Sequence, residues 1–236
     1  MQDRYVGDEG DFVKFYLLNN LCETNLRLGV NWCLVTDENH NKDGKFVSYL
    51  SDKHHPFNNI DSRLFEKLKE IVHGVNKNVE CIEKSEILPS QTLYFSEKIL
   101  ADTARFQWHD SSVQHLQPCD IVFYDPDNGL EIGSIGKLHQ KAIKYIYFDE
   151  IRDTFKNGKS IVIYQHTNRT SNSETQIESR IKQLSSCLSI SKNDINVIYS
   201  GHGTARYFLI IKQKQHVNAI DKNIKPFDNK FLKLIC

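Results

Sequence analysis

The sequence predicts one α/β domain over residues 1–236, with a mainly parallel sheet that closes in an antiparallel strand pair. Short runs of Ile, Val, Leu and Tyr alternate with amphipathic helical stretches, the pattern typical of parallel sheets covered by helices. The last two apolar runs, 195–199 and 206–211, lie too close for a helical crossover, so they are predicted to pair antiparallel. A Gly/Ser-rich linker and an internal repeat are both absent from the sequence, which favours a single domain.

The first half of the chain gives the opening elements in order. Phe12, Phe15, Leu18 and Leu21 recur at helical spacing, so an amphipathic helix is predicted over 11–23, capped by 10–11. The other elements predicted in this half are a buried strand within 27–36, a short strand or extended segment at 46–50, a helix at 62–72, a short strand at 78–82 and a helix at 94–106.

The second half continues the alternation. It contains a buried strand at 121–124, further apolar runs at 144–148 and 160–164, a helix at 173–184, and the closing strands 195–199 and 206–211. The stretch 161–166 ends in His166, which places an imidazole at the end of a predicted strand.

Composition and charge exclude several classes of protein. Lys and Arg number 30 and Asp and Glu also number 30, so a broadly basic protein that coats nucleic acid is excluded, although a local basic patch is not. No apolar run approaches about 18 residues, so no membrane span is expected. The six cysteines are scattered singly and residues 1–5 lack an apolar signal core, which predicts free thiols in a reducing cytoplasm.

The stretch 120–131 is the strongest candidate for a functional site. An apolar run stops abruptly in Asp125, Pro126, Asp127 and Asn128, followed by a glycine. Ligands bind at the carboxyl ends of strands in open α/β sheets, so a polar cluster at this point indicates a site. The alternative is an ordinary turn, because Asp-Pro and Asn-Gly are common turn formers.

Two stretches resemble a known family of enzymes. Residues 125–128, Asp-Pro-Asp-Asn, resemble the DPPY loop of class I methyltransferases that act on an exocyclic amine. Residues 6–18, VGDEGDFVKFYLL, resemble the AGNHADVLKHxxL opening of the RlmJ-type ribosomal RNA adenine-N6 methyltransferases, with Asp11 and Lys14 at the matching positions. The resemblance extends to the order of elements over most of the chain.

This resemblance implies a Rossmann-like fold and S-adenosylmethionine-dependent methylation of a nucleic-acid base. The implied role of Asp125 is to accept a hydrogen bond from the target amine, assisted by the Pro126 carbonyl. The full catalytic set is Asp125, Pro126, Asp127, Asn128, Lys14 and His166, and the cofactor-binding set is Asp37, Gly44, Lys45 and Glu83. Glu83 enters this set because an acid after the second core strand can accept both ribose hydroxyls.

The sequence departs from the family pattern at two loops. The segment 36–45, TDENHNKDGK, stands where the family has a glycine-rich cofactor loop, and only Gly44 and Lys45 resemble the end of that loop. Asp127 and Asn128 replace the second Pro and the Tyr of DPPY, so the aromatic ring that would stack on a flipped base is missing.

A second interpretation is a divalent-metal enzyme, either a nuclease or a phosphohydrolase. Carboxylates and imidazoles that follow neighbouring strands would meet at one edge and could bind Mg²⁺ or Mn²⁺. The candidate ligands are Asp37, His40, Asp43, Asp125, Asp127 and Glu131. The loop that carries the first three is equally compatible with a solvated turn, and His166 with a strand-end histidine bonded to backbone. A third interpretation is a binding module without catalytic activity.

Overall fold

The computed structural model describes residues 1–23, 25–38, 46–99, 104–168, 171–201, 205–227 and 231–236. Its helices are α1 (Glu9–Leu21), α2 (Pro56–Ile60), α3 (Ser62–His73), α4 (Val79–Lys84), α5 (Ala104–His115), α6 (Phe148–Lys156), α7 (Ser173–Leu188) and α8 (Val217–Ile224). Its strands are β1 (Leu28–Asn31), β2 (Leu93–Phe95), β3 (Ile121–Tyr124), β4 (Gly129–Leu130), β5 (Tyr145–Ile146), β6 (Ser160–His166), β7 (Ile195–Ser200), β8 (Arg206–Ile211) and β9 (Lys233–Leu234).

The main sheet has seven strands in the order β2-β1-β3-β6-β8-β7-β9. Strands β2, β1, β3 and β6 are parallel neighbours, whereas β8 runs antiparallel to both β6 and β7. This mixed sheet confirms the predicted Rossmann-like α/β class and the antiparallel pairing of the last two predicted strands. Strands β4 and β5 form a separate two-stranded parallel sheet.

Two apolar cores cover the two faces of the main sheet. Alternate strand residues point to opposite faces, so Phe123 and Val162 join the core under α1, α3 and α8, while Val122 and Ile161 join the core under α5, α6 and α7. Both faces are covered, and this explains why the strand sequences are continuously apolar rather than alternating.

Helix α1 begins two residues earlier than the sequence predicts. The cap is Asp8 rather than 10–11, and its carboxylate accepts a hydrogen bond from the Asp11 backbone N–H. Phe12 of α1 stacks on Phe57 at a ring-centroid distance of 4.2 Å, which anchors the helix to the following segment.

Three predictions of secondary structure are wrong. The predicted strand 78–82 is helix α4, because Asn78 caps it and the apolar residues Val79 and Ile82 lie on one helical face. The predicted helix 94–106 instead covers the end of strand β2 and the start of α5 at Ala104. The segment 46–50, predicted as a short strand or an extended segment, overlaps the 3-10 helix Ser48–Ser51. The stretches 46–50 and 78–82 are short, so periodicity alone separates helix from strand poorly, and 94–106 includes parts of two different elements, so no single periodicity describes it.

The run 144–148 contributes only the two-residue strand β5, and Phe148 already begins α6. All six cysteines are free thiols, and Cys22, Cys33 and Cys119 are buried. Within the described ranges, no helix has both the length and the apolar character needed to cross a membrane.

Candidate functional site

A cluster of charged side chains lies at the carboxyl edge of the parallel strands. Asp125 follows β3 directly, and its backbone N–H donates to Asn31 O at the end of β1 at 3.1 Å. His166 ends β6 and stands opposite Arg206 in the β6–β8 register. Lys14 reaches the same edge from α1, so residues far apart in sequence meet where three strands end.

Lys14 bridges two buried carboxylates. Its Nζ lies 2.8 Å from Asp11 Oδ1 and 2.6 Å from Asp125 Oδ2, and all three side chains are buried. Burial alone lowers the pKa of Lys14, but the carboxylates of Asp11 and Asp125 outweigh burial and raise it overall. Lys14 therefore remains an ammonium at every physiological pH.

The pKa of Asp125 is raised, whereas an ion pair usually lowers the pKa of a carboxyl group. Burial raises the pKa of Asp125 above its ordinary value, and the attraction of Lys14 offsets only part of that effect. The nearby Asp11 adds repulsion. Asp125 is thus easier to protonate than a solvated aspartate, while its neighbour Lys14 keeps its proton.

Two further charged side chains, Asp8 and Arg206, lie around the cluster of Asp11, Lys14 and Asp125 and form a second layer of charge. Burial and the repulsion of Asp11 raise the pKa of Asp8 to about 6. The guanidinium of Arg206 lies 5.8 Å from the centre of the Tyr164 ring, and the Lys14 ammonium lies 4.8 Å from it. The Arg206 guanidinium also lies directly over Gly10, at a place where a side chain on residue 10 would collide with it.

His166 is held neutral in this surrounding. Burial, together with the positive charges of Arg206 and Lys14, lowers its pKa to about 4. The ring packs edge-on against Tyr164 at 4.9 Å. A neutral imidazole keeps a lone pair that can accept a hydrogen bond at pH 7.

The loop 125–129 is tied to the first residues of the chain. The Met1 amino group lies 2.9 Å from Asp127 Oδ1 and donates to Asp125 O at 2.8 Å. Gln2 Nε2 donates to Asp127 Oδ2 at 2.6 Å. Burial raises the pKa of Asp127, but the Met1 amino group and Gln2 outweigh it and lower the pKa overall.

Asn128 is the exposed member of the loop. Its backbone N–H donates to Lys144 O at 2.9 Å and its carbonyl accepts from Gln165 Nε2 at 3.2 Å. Pro126, in contrast, is buried. The predicted catalytic set therefore meets at one edge, with Asp125 inside and the Asn128 side chain facing solvent.

The predicted cofactor-binding residues that the structure describes, Asp37 and Glu83, make separate contacts. Asp37 is exposed, and its Oδ1 accepts from the Arg4 backbone N–H at 3.3 Å. Glu83 lies on helix α4 rather than after a strand, and its carboxylate accepts from Trp32 Nε1 at 2.8 Å and from the Ser96 hydroxyl. Trp32 and Ser96 directly follow β1 and β2, so Glu83 still reaches the ends of both strands. Gly44 and Lys45 lie outside the described residues.

Glu97 is a candidate that sequence reasoning missed. It follows β2, whose short apolar run Leu93–Phe95 was misread as the start of a helix, and its exposed side chain lines an open groove of about 600 Å³ between β2 and α5. The segments after β1 and β2 run side by side, because Trp32 N donates to Phe95 O and Ile99 N donates to Leu34 O. Recognition of β2 as a strand would have identified Glu97 as the acid at its end.

The described residues do not bring the proposed metal ligands together. Glu131 Oε1 accepts from Phe148 N at 2.7 Å and so caps α6, while the Asp125 and Asp127 carboxylates are paired with Lys14 and Met1. Within the ranges that the structure describes, no group of three or more His, Cys, Asp or Glu side chains could hold a metal ion. His40 and Asp43 lie outside these ranges.

The comparisons with known proteins leave the family open. A scan against models of protein families finds no match to the chain. A search of curated proteins finds no match either. The site itself combines an acid next to a Pro residue, a neutral imidazole and a permanent ammonium at the carboxyl edge of the parallel strands.

Proposed function

We propose that the protein transfers a methyl group from S-adenosylmethionine to an exocyclic amine of a nucleic-acid base. The observation that carries this proposal is the buried contact of 2.6 Å between Lys14 Nζ and Asp125 Oδ2. These residues are 111 positions apart, and each belongs to one of the two stretches that resemble amine methyltransferases. Two independent resemblances thus meet at one site.

The arrangement of strands also supports the proposal. A reversed strand, β8, lies between β6 and β7, and β7 therefore runs parallel to β6. An antiparallel closing pair after parallel strands is what the resemblance implies for this part of the chain. A fold can host many functions, so the topology adds support while the site carries the chemistry.

The chemistry assigns a task to each side chain. An amine attached to an aromatic ring is a poor nucleophile, because its lone pair is delocalised into the ring. Hydrogen bonds from the amine to the Asp125 carboxylate and the Pro126 carbonyl would hold it so that the lone pair faces the incoming methyl group. Bound S-adenosylmethionine supplies that methyl group on a positively charged sulfur. Lys14 holds the Asp125 carboxylate in place, and His166 can accept a hydrogen bond from the target.

The residues after β1 and β2 are suited to an adenosyl group. The exposed carboxylate of Glu97 borders the open groove, and a carboxylate can accept hydrogen bonds from both ribose hydroxyls. Glu83 reaches the same two strand ends from α4, and Asp37 follows β1 on the exposed side. We place the cofactor across these strand ends, with either Glu97 or Glu83 as the acid that binds the ribose hydroxyls. The affinities of Glu97→Gln and Glu83→Gln for S-adenosylhomocysteine distinguish the two, because the variant of the ribose-binding acid should bind more weakly.

The test is methyl transfer to RNA and DNA from radiolabelled S-adenosylmethionine, together with calorimetric titration of S-adenosylhomocysteine, both in EDTA. A parallel incubation with Mg²⁺ or Mn²⁺ measures cleavage of the same nucleic acids. The wild type should bind the ligand and label one nucleic-acid class. Asp125→Asn should lose at least 100-fold in transfer and retain ligand affinity within about twofold, because it keeps the shape of the side chain but removes the charge. Asp110→Asn, on the exposed surface of α5, is the matched control and should behave like the wild type.

Three outcomes would overturn the proposal. If the wild type does not bind S-adenosylhomocysteine, the cofactor assignment is wrong. Nucleic-acid cleavage that appears only with Mg²⁺ or Mn²⁺ would instead favour the metal-dependent nuclease. Nucleic-acid affinity without either activity would favour a binding module.

A further inference from the structure

Gln165 lies directly beneath the loop 125–129. It is the penultimate residue of β6 and is 5% exposed. Its Oε1 accepts from Leu130 N at 2.8 Å, and its Nε2 donates to Asn128 O at 3.2 Å and to His166 O at 3.0 Å. One side chain therefore binds the backbone on both sides of Gly129 and also the backbone of His166.

Gly129 is fitted to this side chain. Its φ is +94°, in the region that favours glycine, and a Cβ at this position would collide with the Gln165 amide. The Asn128 N–H is fixed separately by Lys144 O. Both backbone polar groups of Asn128 are thus held, so its exposed side chain projects from a fixed backbone.

We propose that Gln165 is the positioning residue of the site: it acts through the backbone of Asn128, Leu130 and His166 to set where the loop 125–128 meets the target base. This inference rests on the proposed function, because the base is what the loop would meet. Gln165 makes no contact with reacting atoms. Its amide both donates and accepts, so neither an apolar nor an ionised side chain can replace it.

Two variants separate this role from simple packing. Gln165→Leu keeps most of the volume and removes all three hydrogen bonds. Gln165→Glu keeps the acceptor for Leu130 N, but when ionised it places a negative charge against the Asn128 and His166 carbonyl oxygens. A protonated glutamic acid has an O–H that can donate to one of those carbonyls, so it reproduces part of the glutamine pattern.

The first experiment measures kcat and KM for the nucleic acid and the affinity for S-adenosylhomocysteine. Gln165→Leu should lower kcat by about 10- to 100-fold, because a misplacement of about 1 Å costs this much, while ligand affinity stays within twofold. The activity of Gln165→Glu relative to the wild type should rise as the pH falls from 8 to 6. Gln117→Leu, exposed beyond the far end of α5, is the matched control.

A wild-type kcat in Gln165→Leu, or a Gln165→Glu to wild-type ratio that does not change with pH, would overturn the positioning role. Failure of the wild type to transfer methyl groups would overturn the proposed function instead, and amide hydrogen exchange then decides the role of Gln165. The Leu130 amide should lose at least tenfold in protection in Gln165→Leu while the Val162 amide of β6 does not change. Equal protection of Leu130 in both proteins would refute the inference whatever the activity.

Discussion

Replacement of Lys14 by Met should destabilise the protein strongly and in a pH-dependent way. Lys14 is 3% exposed and is the bridging cation between Asp11 and Asp125, so the variant leaves two buried carboxylates facing each other. Removal of one partner of a buried ion pair costs about 3–5 kcal/mol. For a chain of this size, this loss corresponds to a decrease of about 6–20 °C in Tm.

The pH dependence follows from the protonation of the two carboxylates. Without Lys14, repulsion and burial raise their pKa values in the folded state above those of the unfolded chain. A carboxyl group with a raised folded pKa destabilises the protein when the pH is above that value. The loss caused by Lys14→Met should therefore be largest at pH 8 and shrink as the pH falls toward 5.

Urea denaturation at pH 8, 7, 6 and 5 measures this effect. Lys84→Met is the matched control, because Lys84 forms an ion pair with Glu80 at 2.5 Å on the exposed surface and should show no measurable change. A Lys14→Met loss as small as that of the control, or one that is constant from pH 8 to 5, would refute the assignment of Lys14 as the bridge between buried charges.

Three further predictions concern the loop, the second layer of charge and the anchor of α5. Gly129→Ala should lower the free energy of unfolding by about 1–3 kcal/mol in urea denaturation, because the φ of Gly129 is +94° and Gln165 fills the space beside it. Gly133→Ala, with open space around it, should have no effect, and equal effects of the two variants would contradict this packing. Asp8→Asn keeps a helix-capping oxygen and removes a carboxyl group whose pKa is raised to about 6, so the free energy of unfolding should rise by about 1–3 kcal/mol at pH 8. This stabilisation should disappear as the pH falls from 6 to 4, and a stabilisation that grows at low pH would contradict the raised pKa. Arg105→Met should lower the free energy of unfolding by about 3–5 kcal/mol in the same assay, because it leaves the buried Glu150 carboxylate, which Arg105 Nε binds at 2.6 Å, without its cation. The double variant with Glu150→Gln should recover part of this loss, and no recovery would mean that the Arg105 side chain stabilises the protein by packing alone.

The core strands were predictable because each is a short, uninterrupted apolar run. The predicted run 121–124 coincides with β3 and 206–211 coincides with β8, because burial on both faces of the sheet requires apolar residues at every position. The helices 62–72 and 173–184 were predictable for a related reason. One apolar face repeats at helical spacing over three or more turns, and errors were confined to the ends.

The short elements at the sheet edge were not predictable in this way. Stretch 78–82 contains too few residues for its periodicity to be decisive, and stretch 94–106 includes the end of a strand and the start of a helix, so it has no single period. The error at β2 affects the candidate site, because the sequence predicts a helix there and so does not identify Glu97 as an acid that follows a strand. Glu83 lies on α4 rather than after a strand, although its side chain reaches the ends of β1 and β2 through Trp32 and Ser96.

The sequence by itself determined the class of fold and the position of the polar loop 125–129, because apolar period and turn chemistry are local properties. It also marked Lys14 and Asp125, each within its own motif. Only the tertiary structure decided that these two side chains touch, that His166 is neutral and that Gln165 supports the loop. Those facts depend on distance and burial between segments more than 30 residues apart, and no local pattern encodes them.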